Sequence, residues 1–347
     1  MKQAGIDERG FTLVELMVAL VIGGIITAAA FTILTTTSKA VRANEQTVDT
    51  QQNVRIAMEL LSRDIKMAGF GSPGVAIGNC TYPIMPSDNT VGAVDNGPDS
   101  VQLLVPTGKS TGTDRWTLQS ATTPSGAAQI TLQAGAVTDM VSSGLANGSY
   151  ISVNGAHTAR VNGPITGNTI NIAIPAPIWF PVDAQVYLLQ CIRYQVVTNS
   201  AICGTIEPCL TRGVAGVTTG PNAEAPIVEG IEELQLAYAC DGCVAAINGG
   251  VADRVIDNQA GGSGFDQADF ISNNAWGTAP MTPNKIQLVQ VSLVARQPKA
   301  DLGMGETPGA TIGSGAVVVS PDRSLAADSN HRRRLLTKTI ETRNVGL

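Results

Sequence analysis

The sequence predicts an α+β protein, in which one long N-terminal helix precedes a large antiparallel β domain with long loops. Two observations predict the helix: residues 11–34 are almost entirely apolar, and residues 35–68 contain neither proline nor glycine. The rest of the chain consists of short β-prone runs between segments rich in glycine, proline, serine and threonine, which is typical of a β-rich domain. We therefore expect a helix over 11–69 and a β-rich globular domain over 70–347.

The run 11–34 is long enough to cross a membrane. Its 24 residues include only four polar side chains, those of Thr12, Glu15, Thr27 and Thr32, and about 20 apolar residues span the hydrocarbon core of a bilayer. A secretory signal peptide has a shorter apolar stretch with a small-residue cleavage site after it, whereas here Gly10 precedes the run. Cleavage after Gly10 would remove only the leader 1–10 and leave a transmembrane helix at the new N-terminus.

The second half of the predicted helix is polar with one apolar face. Apolar side chains recur there at helical spacing, at Val54, Ala57, Met58, Leu61 and Ile65. Glycines and a proline at 69, 71 and 73 supply a stop. This half is therefore expected to pack on the β domain and to end near residue 69.

The junction at residues 10–15, Gly-Phe-Thr-Leu-Val-Glu, closely resembles the type IV prepilin signal of pilins and pseudopilins. The resemblance implies that a prepilin peptidase cleaves between Gly10 and Phe11 and that the new Phe11 amine is methylated. It also gives Glu15 a role in subunit assembly, as the partner of the Phe11 amine of a neighbouring subunit. From the residues alone, a signal-anchor helix with Glu15 at the membrane interface is the alternative.

Gly23 and Gly24 are expected to weaken the apolar half of the helix locally, because glycine destabilises a helix by about 1 kcal/mol relative to alanine. Two interpretations stay open. Either the pair permits close helix packing in lipid, or, as the pilin resemblance favours, it allows the helix to melt locally when the subunit leaves the bilayer for a filament.

Four further segments resemble PilW-type minor pilins, which are related to the J-type pseudopilins. They are LLSRDIKMAGF at 60–70, VEGIEELQLAY at 228–238, QVSLVAR at 290–296 and RRLLTKTIETRN at 333–344. The resemblance implies a type IV pilin-like fold and a structural role, in which the subunit primes type IV pilus assembly and lies at or near the filament tip.

The same resemblance implies partners and a location. The partners are other minor and major pilins, the prepilin peptidase, the inner-membrane assembly platform and, before assembly, membrane lipid. The globular domain would face the periplasm of a bacterium and later reach the cell surface in the pilus. The alternatives are a J-like pseudopilin of a type II secretion system and a membrane-anchored adhesin or binding protein.

Strand-like runs bounded by turn residues predict the body of the β domain. They lie at 100–105, 129–132, 150–153, 169–174, 185–197, 209–214, 228–239, 285–296 and 333–342. Two long glycine-rich stretches, 244–281 and 300–315, are expected to be exposed loops, the segments of a domain that commonly carry ligand contacts.

The cysteines predict disulfides, because their number is even and the chain is expected to be exported. They are Cys80, Cys191, Cys203, Cys209, Cys240 and Cys243. Proximity favours Cys203 with Cys209 and Cys240 with Cys243, which leaves Cys80 with Cys191 by elimination. A redox or zinc role for the Cys240–Cys243 pair is the weaker alternative, because neither a thioredoxin-like βαβ pattern nor four spaced ligands accompany it.

The sequence does not predict catalysis, a cofactor or a metal. The glycines at 69, 71 and 74 follow a helix, whereas a dinucleotide fingerprint follows a strand, and the two histidines, His157 and His331, are expected at the surface. Acidic residues near Asp257, Asp266 and Asp269 do not match a calcium-loop register.

Nucleic-acid binding is not expected either, because the net charge is −6 and phosphate binding needs a basic footprint. The cluster 331–334, His-Arg-Arg-Arg, is interpreted as the entrance to a strand, with a small DNA-binding patch as the alternative.

Overall fold

The computed structural model describes most of the chain. The described residues are 12–72, 74–91, 94–95, 97–122, 127–176, 179–204, 208–220, 222–259, 261, 264–272, 276–297, 312–313, 317–320, 322–326 and 331–345. The chain forms two compact units, Met1–Asp49 and Thr50–Leu347.

Helix α1 spans Leu13–Met67 and belongs to both units. In the first unit its large apolar side chains are exposed, among them Leu13, Ile22 and Phe31. By length and composition, α1 is the one helix in the described chain that is apolar enough to cross a membrane. The composition of 11–34 thus produces an apolar helix whose side chains lipid or other subunits would cover.

In the second unit α1 buries one face. The predicted stripe is confirmed, since its five apolar side chains are each at most 3% exposed and belong to the main core. They are Val54, Ala57, Met58, Leu61 and Ile65. Full burial of a large apolar side chain, such as that of Leu61 or Ile65, contributes about 1.5–3 kcal/mol to stability. Packing on the core, rather than intrinsic helix propensity, therefore stabilises this half of α1.

The helix ends because Gly69 takes up a left-handed conformation with φ of 82°. A Cβ at Gly69 would lie 2.6 Å from the carbonyl oxygen of Asn344, so both conformation and space require glycine. The Asn344 side chain in turn donates a hydrogen bond to the carbonyl oxygen of Lys66 at 3.2 Å. The end of the helix is therefore held by a residue close to the C-terminus.

The larger sheet has seven strands in the described chain, in the order β1-β4-β9-β10-β11, with β6 pairing with both β9 and β7. All pairs are antiparallel. The strands are β1 (Ile84–Ser87), β4 (Ser100–Thr107), β6 (Tyr150–Val153), β7 (His157–Arg160), β9 (Val186–Val197), β10 (Cys209–Val214) and β11 (Ala225–Glu229).

A second antiparallel sheet has the order β12-β13-β17-β14. Its strands are β12 (Ile231–Cys240), β13 (Ile286–Arg296), β14 (Ile312–Gly313) and β17 (Arg333–Glu341). Both sheets and the buried face of α1 share the main core. Three two-stranded ribbons complete the described strands. They pair β2 (Thr90–Val91) with β3 (Val94–Asp95), β5 (Ala127–Thr131) with β8 (Thr169–Ala176), and β15 (Val317–Ser320) with β16 (Arg323–Leu325).

A second core lies in the middle of the chain, where the short helix α2 (Ala136–Ser142) packs with strands β5 to β8. Trp116 and Met140 are among its fully buried side chains. The indole nitrogen of Trp116 donates to the Asp139 carboxylate at 2.8 Å, so its one polar atom is satisfied. Another short helix, α3 (Ser200–Cys203), precedes β10.

The predicted antiparallel β domain is confirmed, and eight of the nine predicted runs each overlap a single strand. The ninth, 228–239, was wrongly predicted as one strand. Gly230, with φ of 73°, separates β11 from β12, and the two strands pair in different sheets. The uninterrupted β-propensity of this run conceals a point where the chain passes from one sheet to the other.

Of the two predicted loops, one differs from expectation and most of the other lies outside the described residues. Segment 244–281 is not exposed throughout, because Asp257, Asp269 and Ile271 are buried within it. Of 300–315, only Ile312–Gly313, which forms β14, lies within the described residues. The rest of that stretch is outside them.

Candidate functional site

The described chain begins with a capped helix terminus at the predicted assembly residue. The carboxylate oxygen Oε2 of Glu15 accepts hydrogen bonds from the backbone N–H of Thr12 at 3.0 Å and from its hydroxyl at 2.9 Å. The backbone N–H of Glu15 donates to the Thr12 hydroxyl at 3.3 Å. This reciprocal arrangement is a capping box. Glu15 therefore stabilises the start of α1 in addition to any role between subunits.

The other predicted residues of this region are placed as follows. Gly10 and Phe11 lie outside the described residues. Gly23 and Gly24 lie within α1, and a Cβ at either would have no atom within 4 Å. The Thr27 hydroxyl donates to the carbonyl oxygen of Gly23 at 2.7 Å. Space within one chain thus does not require these glycines, and both interpretations of the pair stay open.

A buried polar network connects α1 to the larger sheet. Asp64 is 2% exposed and accepts, on Oδ2, a hydrogen bond from the Tyr194 hydroxyl at 2.6 Å. Arg212 donates from Nε to the same oxygen at 3.0 Å and to the Tyr194 hydroxyl at 3.0 Å. Tyr194 lies on β9 and Arg212 on β10. The network therefore fixes the helix against two neighbouring strands.

In this network, Tyr194 and Arg212 both keep the protons that they donate in hydrogen bonds. Burial, and then the charge of Asp64, raise the pKa of Tyr194 well above its usual range, so its hydroxyl remains a donor. Burial works against the charged form of Arg212, but its contacts with Tyr194 and Asp64 outweigh this effect and its pKa is raised. Because every member is hydrogen-bonded, the network avoids the penalty of an unpaired buried charge.

The basic cluster at 331–334 begins a strand, as the favoured interpretation predicts. Arg333 is the first residue of β17 and is buried. Its guanidinium forms a bidentate pair with Glu232, with Nε to Oε2 at 2.7 Å and Nη2 to Oε1 at 2.6 Å. Arg333 is therefore engaged inside the domain and is not presented to an external phosphate.

The structure pairs all six cysteines. Cys80 bonds to Cys191, Cys203 to Cys209, and Cys240 to Cys243. The pairs coincide with those expected from proximity and elimination. The first joins the segment before β1 to β9 across 111 positions of the sequence.

Asp257 lies beside the third disulfide and closes the turn that contains it. The Asp257 carboxylate accepts hydrogen bonds from the backbone N–H groups of Gly242, Cys243 and Val244 at 2.9–3.1 Å. Cys240, Cys243 and Asp257 are grouped closely enough to hold a metal ion, but the two sulfur atoms are bonded to each other and the carboxylate is occupied. The geometry is that of a stapled turn.

Two other sequence interpretations change. His157 was wrongly expected at the surface, since it is 9% exposed on β7 with Phe180 beside its ring. Asp266 and Asp269 form a capping box around the short turn Gln267–Asp269, which accounts for the acidic pattern there.

Residues 193–344 match the family model for type IV pilus-assembly protein W, and residues 7–31 match the prokaryotic N-terminal methylation motif. The chain carries a PilW domain behind a type IV prepilin motif. PilW and pilin-like families are structural pilus components rather than enzymes, and such a chain fits a minor pilin in pilus assembly.

Among solved structures, a type IV-like pilin from Thermus thermophilus is similar. It is 13% identical, covers 86% of this chain and 98% of its own length, and has a TM-score of 0.33. No protein of curated function matches the chain.

The roles of two residues, Asp64 and Thr12, were not predicted from the sequence. Asp64 interrupts the apolar face of α1 between Leu61 and Ile65, and an acidic residue in a buried stripe indicates a buried partner. Thr12 stands three residues before Glu15, which is the spacing of a capping box. The PilW match begins one residue before Tyr194, so the Asp64 network joins the N-terminal helix to that domain.

Proposed function

We propose that this protein is a minor pilin that primes type IV pilus assembly together with other minor pilins and lies at or near the filament tip. The observation that carries the proposal is Glu15, the single carboxylate in the apolar run 11–34, which lies within the prepilin methylation motif and is exposed on α1. A charge within a membrane segment is unfavourable and is usually paired or functional. A neighbouring subunit's N-terminal amine would be such a partner.

The processing step belongs to the same proposal. A prepilin peptidase would cut between Gly10 and Phe11, and the Phe11 amine would be methylated. This cut places a new positive charge four residues before Glu15. The Phe11 amine of one subunit would then pair with the Glu15 carboxylate of its neighbour. The rest of the apolar helix would pack among the helices of other subunits.

Before assembly, the apolar half of α1 would anchor the protein in the bacterial inner membrane with the β domain in the periplasm. Three disulfides suit that oxidising compartment. Assembly would then move the subunit to the pilus on the cell surface. The partners are other pilins and the assembly platform of the inner membrane.

A deletion strain tests the proposal. Deletion of the gene is expected to abolish surface filaments, scored by shearing and electron microscopy, and a plasmid copy of the wild-type gene is expected to restore them. Immunogold labelling of restored filaments should mark their ends. Normal filaments with a failure to export folded enzymes would overturn the proposal in favour of a J-like pseudopilin. Normal filaments and normal export together would favour an anchored adhesin.

A further inference from the structure

Three carboxylates from separate segments meet beside the junction of the two sheets. Asp88 follows β1, Asp95 ends β3 and Asp99 precedes β4. Each offers one oxygen atom, and these atoms all lie within 4.8 Å of one another. Asp95 and Asp99 are 3% and 2% exposed, and Asp88 is half-buried. Like charges held this closely out of water repel one another unless a proton or a cation compensates them.

Two buried oxygen atoms at this cluster have no hydrogen-bond partner in the described chain. One is Oδ2 of Asp95, whose other oxygen accepts a hydrogen bond from the backbone N–H of Gly97 at 3.0 Å. The second is the hydroxyl of Tyr238, a side chain that is 3% exposed. Tyr238 lies on β12 two residues after Leu236, whose N–H donates to Asp99, and burial, followed by the charges of Asp99 and Asp88, raises the pKa of this hydroxyl. Buried polar atoms almost always have a partner, so two orphans at one acidic cluster indicate a missing ligand.

The described groups around the cluster do not supply that ligand. Arg323 is the cation that acts on Asp95, but its guanidinium donates to the Glu233 carboxylate at 2.9 Å and to the Asp95 backbone oxygen at 3.2 Å. The guanidinium of Arg323 therefore leaves the Oδ2 atom of Asp95 without a partner within the described chain.

We propose that Asp88, Asp95 and Asp99 bind one calcium ion. The donors are all oxygen atoms, as Ca²⁺ and Mg²⁺ prefer. Calcium is favoured because it accepts irregular geometry with ligand distances of about 2.3–2.6 Å, and oxygen atoms up to about 4.6–5.2 Å apart can share such an ion, whereas Mg²⁺ demands a smaller, near-ideal octahedron. The Tyr238 hydroxyl, or water held by it, completes the polar lining.

The ion would fasten the two sheets to each other. Asp99 already bridges them, because its Oδ2 accepts a hydrogen bond from the backbone N–H of Leu236 on β12 at 2.8 Å, and its own N–H donates to the Leu234 oxygen. A cation on Asp99 and Asp95 would tie the β2–β3 ribbon to the same junction. Binding is therefore expected to stabilise the folded β domain.

Calorimetric titration of the full-length protein tests this proposal. The protein is purified in detergent, stripped with EDTA, dialysed and titrated with calcium chloride. We expect one Ca²⁺ per chain with a Kd on the order of 10⁻⁴ to 10⁻³ M, as in extracellular calcium modules, together with a rise in melting temperature. Absence of calcium binding by the wild-type protein would overturn the proposal, and equal affinity for Mg²⁺ would overturn the assignment to calcium.

Variants then assign the ion to these residues. Asp95→Asn and Asp99→Asn are each expected to weaken calcium binding at least about tenfold, since each removes a charged ligand. Glu341→Gln, which removes an exposed carboxylate on β17, is the matched control and should bind as the wild type does. Asp88→Asn is the mildest change because Asp88 is half-buried, so it serves if a buried variant fails to fold. Unchanged affinity in Asp88→Asn and in the folded buried variants would contradict the site.

Discussion

The hydroxyl of Tyr194 donates a 2.6 Å hydrogen bond to the buried carboxylate of Asp64, and this bond joins the N-terminal helix to β9. Tyr194 lies within the segment that matches the PilW model, and Asp64 lies well before it. Arg212 holds both groups from β10. The network therefore fixes to the sheet the second half of α1, the helix whose first turn contains Glu15.

Asp64→Ala is expected to destabilise the β domain strongly. The change leaves Arg212 and Tyr194 without their shared acceptor, and loss of one partner of a buried pair costs about 3–5 kcal/mol. The guanidinium side chain of Arg212 is 29% exposed, so we expect about 3 kcal/mol in the free energy of unfolding. Urea unfolding of the full chain in detergent measures it.

Arg63→Ala is the matched control for this change. Arg63 also donates to Asp64, at 3.0 Å, but its side chain is 62% exposed. An exposed ion pair contributes about 0–1 kcal/mol, so this variant should unfold almost as the wild type does. If Asp64→Ala were as stable as Arg63→Ala, the network would not hold the helix.

Removal of the Cys80–Cys191 disulfide is expected to cost more stability than removal of Cys203–Cys209. The first closes a loop of 111 positions and the second a loop of 6. Loop-closure entropy predicts about 4–5 kcal/mol for the first and about 2 kcal/mol for the second. Unfolding of the two double-alanine variants under oxidising conditions measures the difference, and the reverse order of stability would contradict the expectation.

The stability of the calcium-free protein is expected to depend on pH through Asp99. Its pKa is about 8 in the folded chain against an ordinary value of 3.8, so the folded state holds this proton more tightly than the unfolded state does. The stabilisation is complete below about pH 4 and is lost as pH rises through 8. Burial raises the pKa of Asp95 and of Glu233 as well, which acts in the same direction.

The measurement compares the wild type with Asp99→Asn in EDTA between pH 5 and 8. Asp88, Asp95 and Tyr238 interact with Asp99, and Arg323 and Glu233 lie beyond them around Asp95. All five remain in both proteins, so the difference between the two melting temperatures reports the titration of Asp99. We expect the wild type to lose a few degrees relative to the variant as pH rises. Parallel pH profiles would contradict this interpretation of Asp99.

The main elements could be predicted because local patterns determine them. The apolar run from residue 11, the stripe from Val54 to Ile65 and the stop at Gly69 specify α1, and alternating β-prone runs specify the longer strands. The short strands β2, β3, β14 and β16 could not be predicted, since two or three residues carry no periodic signal. The break at Gly230 depends on which sheet each flank joins, which is a long-range property.

Among the candidate sites, too, some could be predicted from local sequence patterns and others could not. Glu15 could be found because a carboxylate inside an apolar run is conspicuous. The group of Asp88, Asp95 and Asp99 could not, because these residues match no calcium-loop spacing and only the fold brings them together with Tyr238. Tyr194 and Arg212 lie 130 and 148 positions from Asp64, so no local pattern connects the three.

The proposed function requires that the charge of Glu15, and not its capping of α1, brings the subunit into a filament. Two variants separate these roles. Glu15→Gln removes the charge, but glutamine at this position still closes a capping box. Thr12→Ala removes the hydroxyl that takes part in the cap and leaves the carboxylate in place.

The most direct measurement is the amount of each variant in sheared filaments, relative to processed protein in the membrane. We expect Glu15→Gln to be reduced about tenfold or more, as loss of a desolvated charge pair predicts, and Thr12→Ala to stay within about twofold of the wild type. Incorporation of Glu15→Gln at the wild-type level, or an equal loss in Thr12→Ala, would contradict the claim.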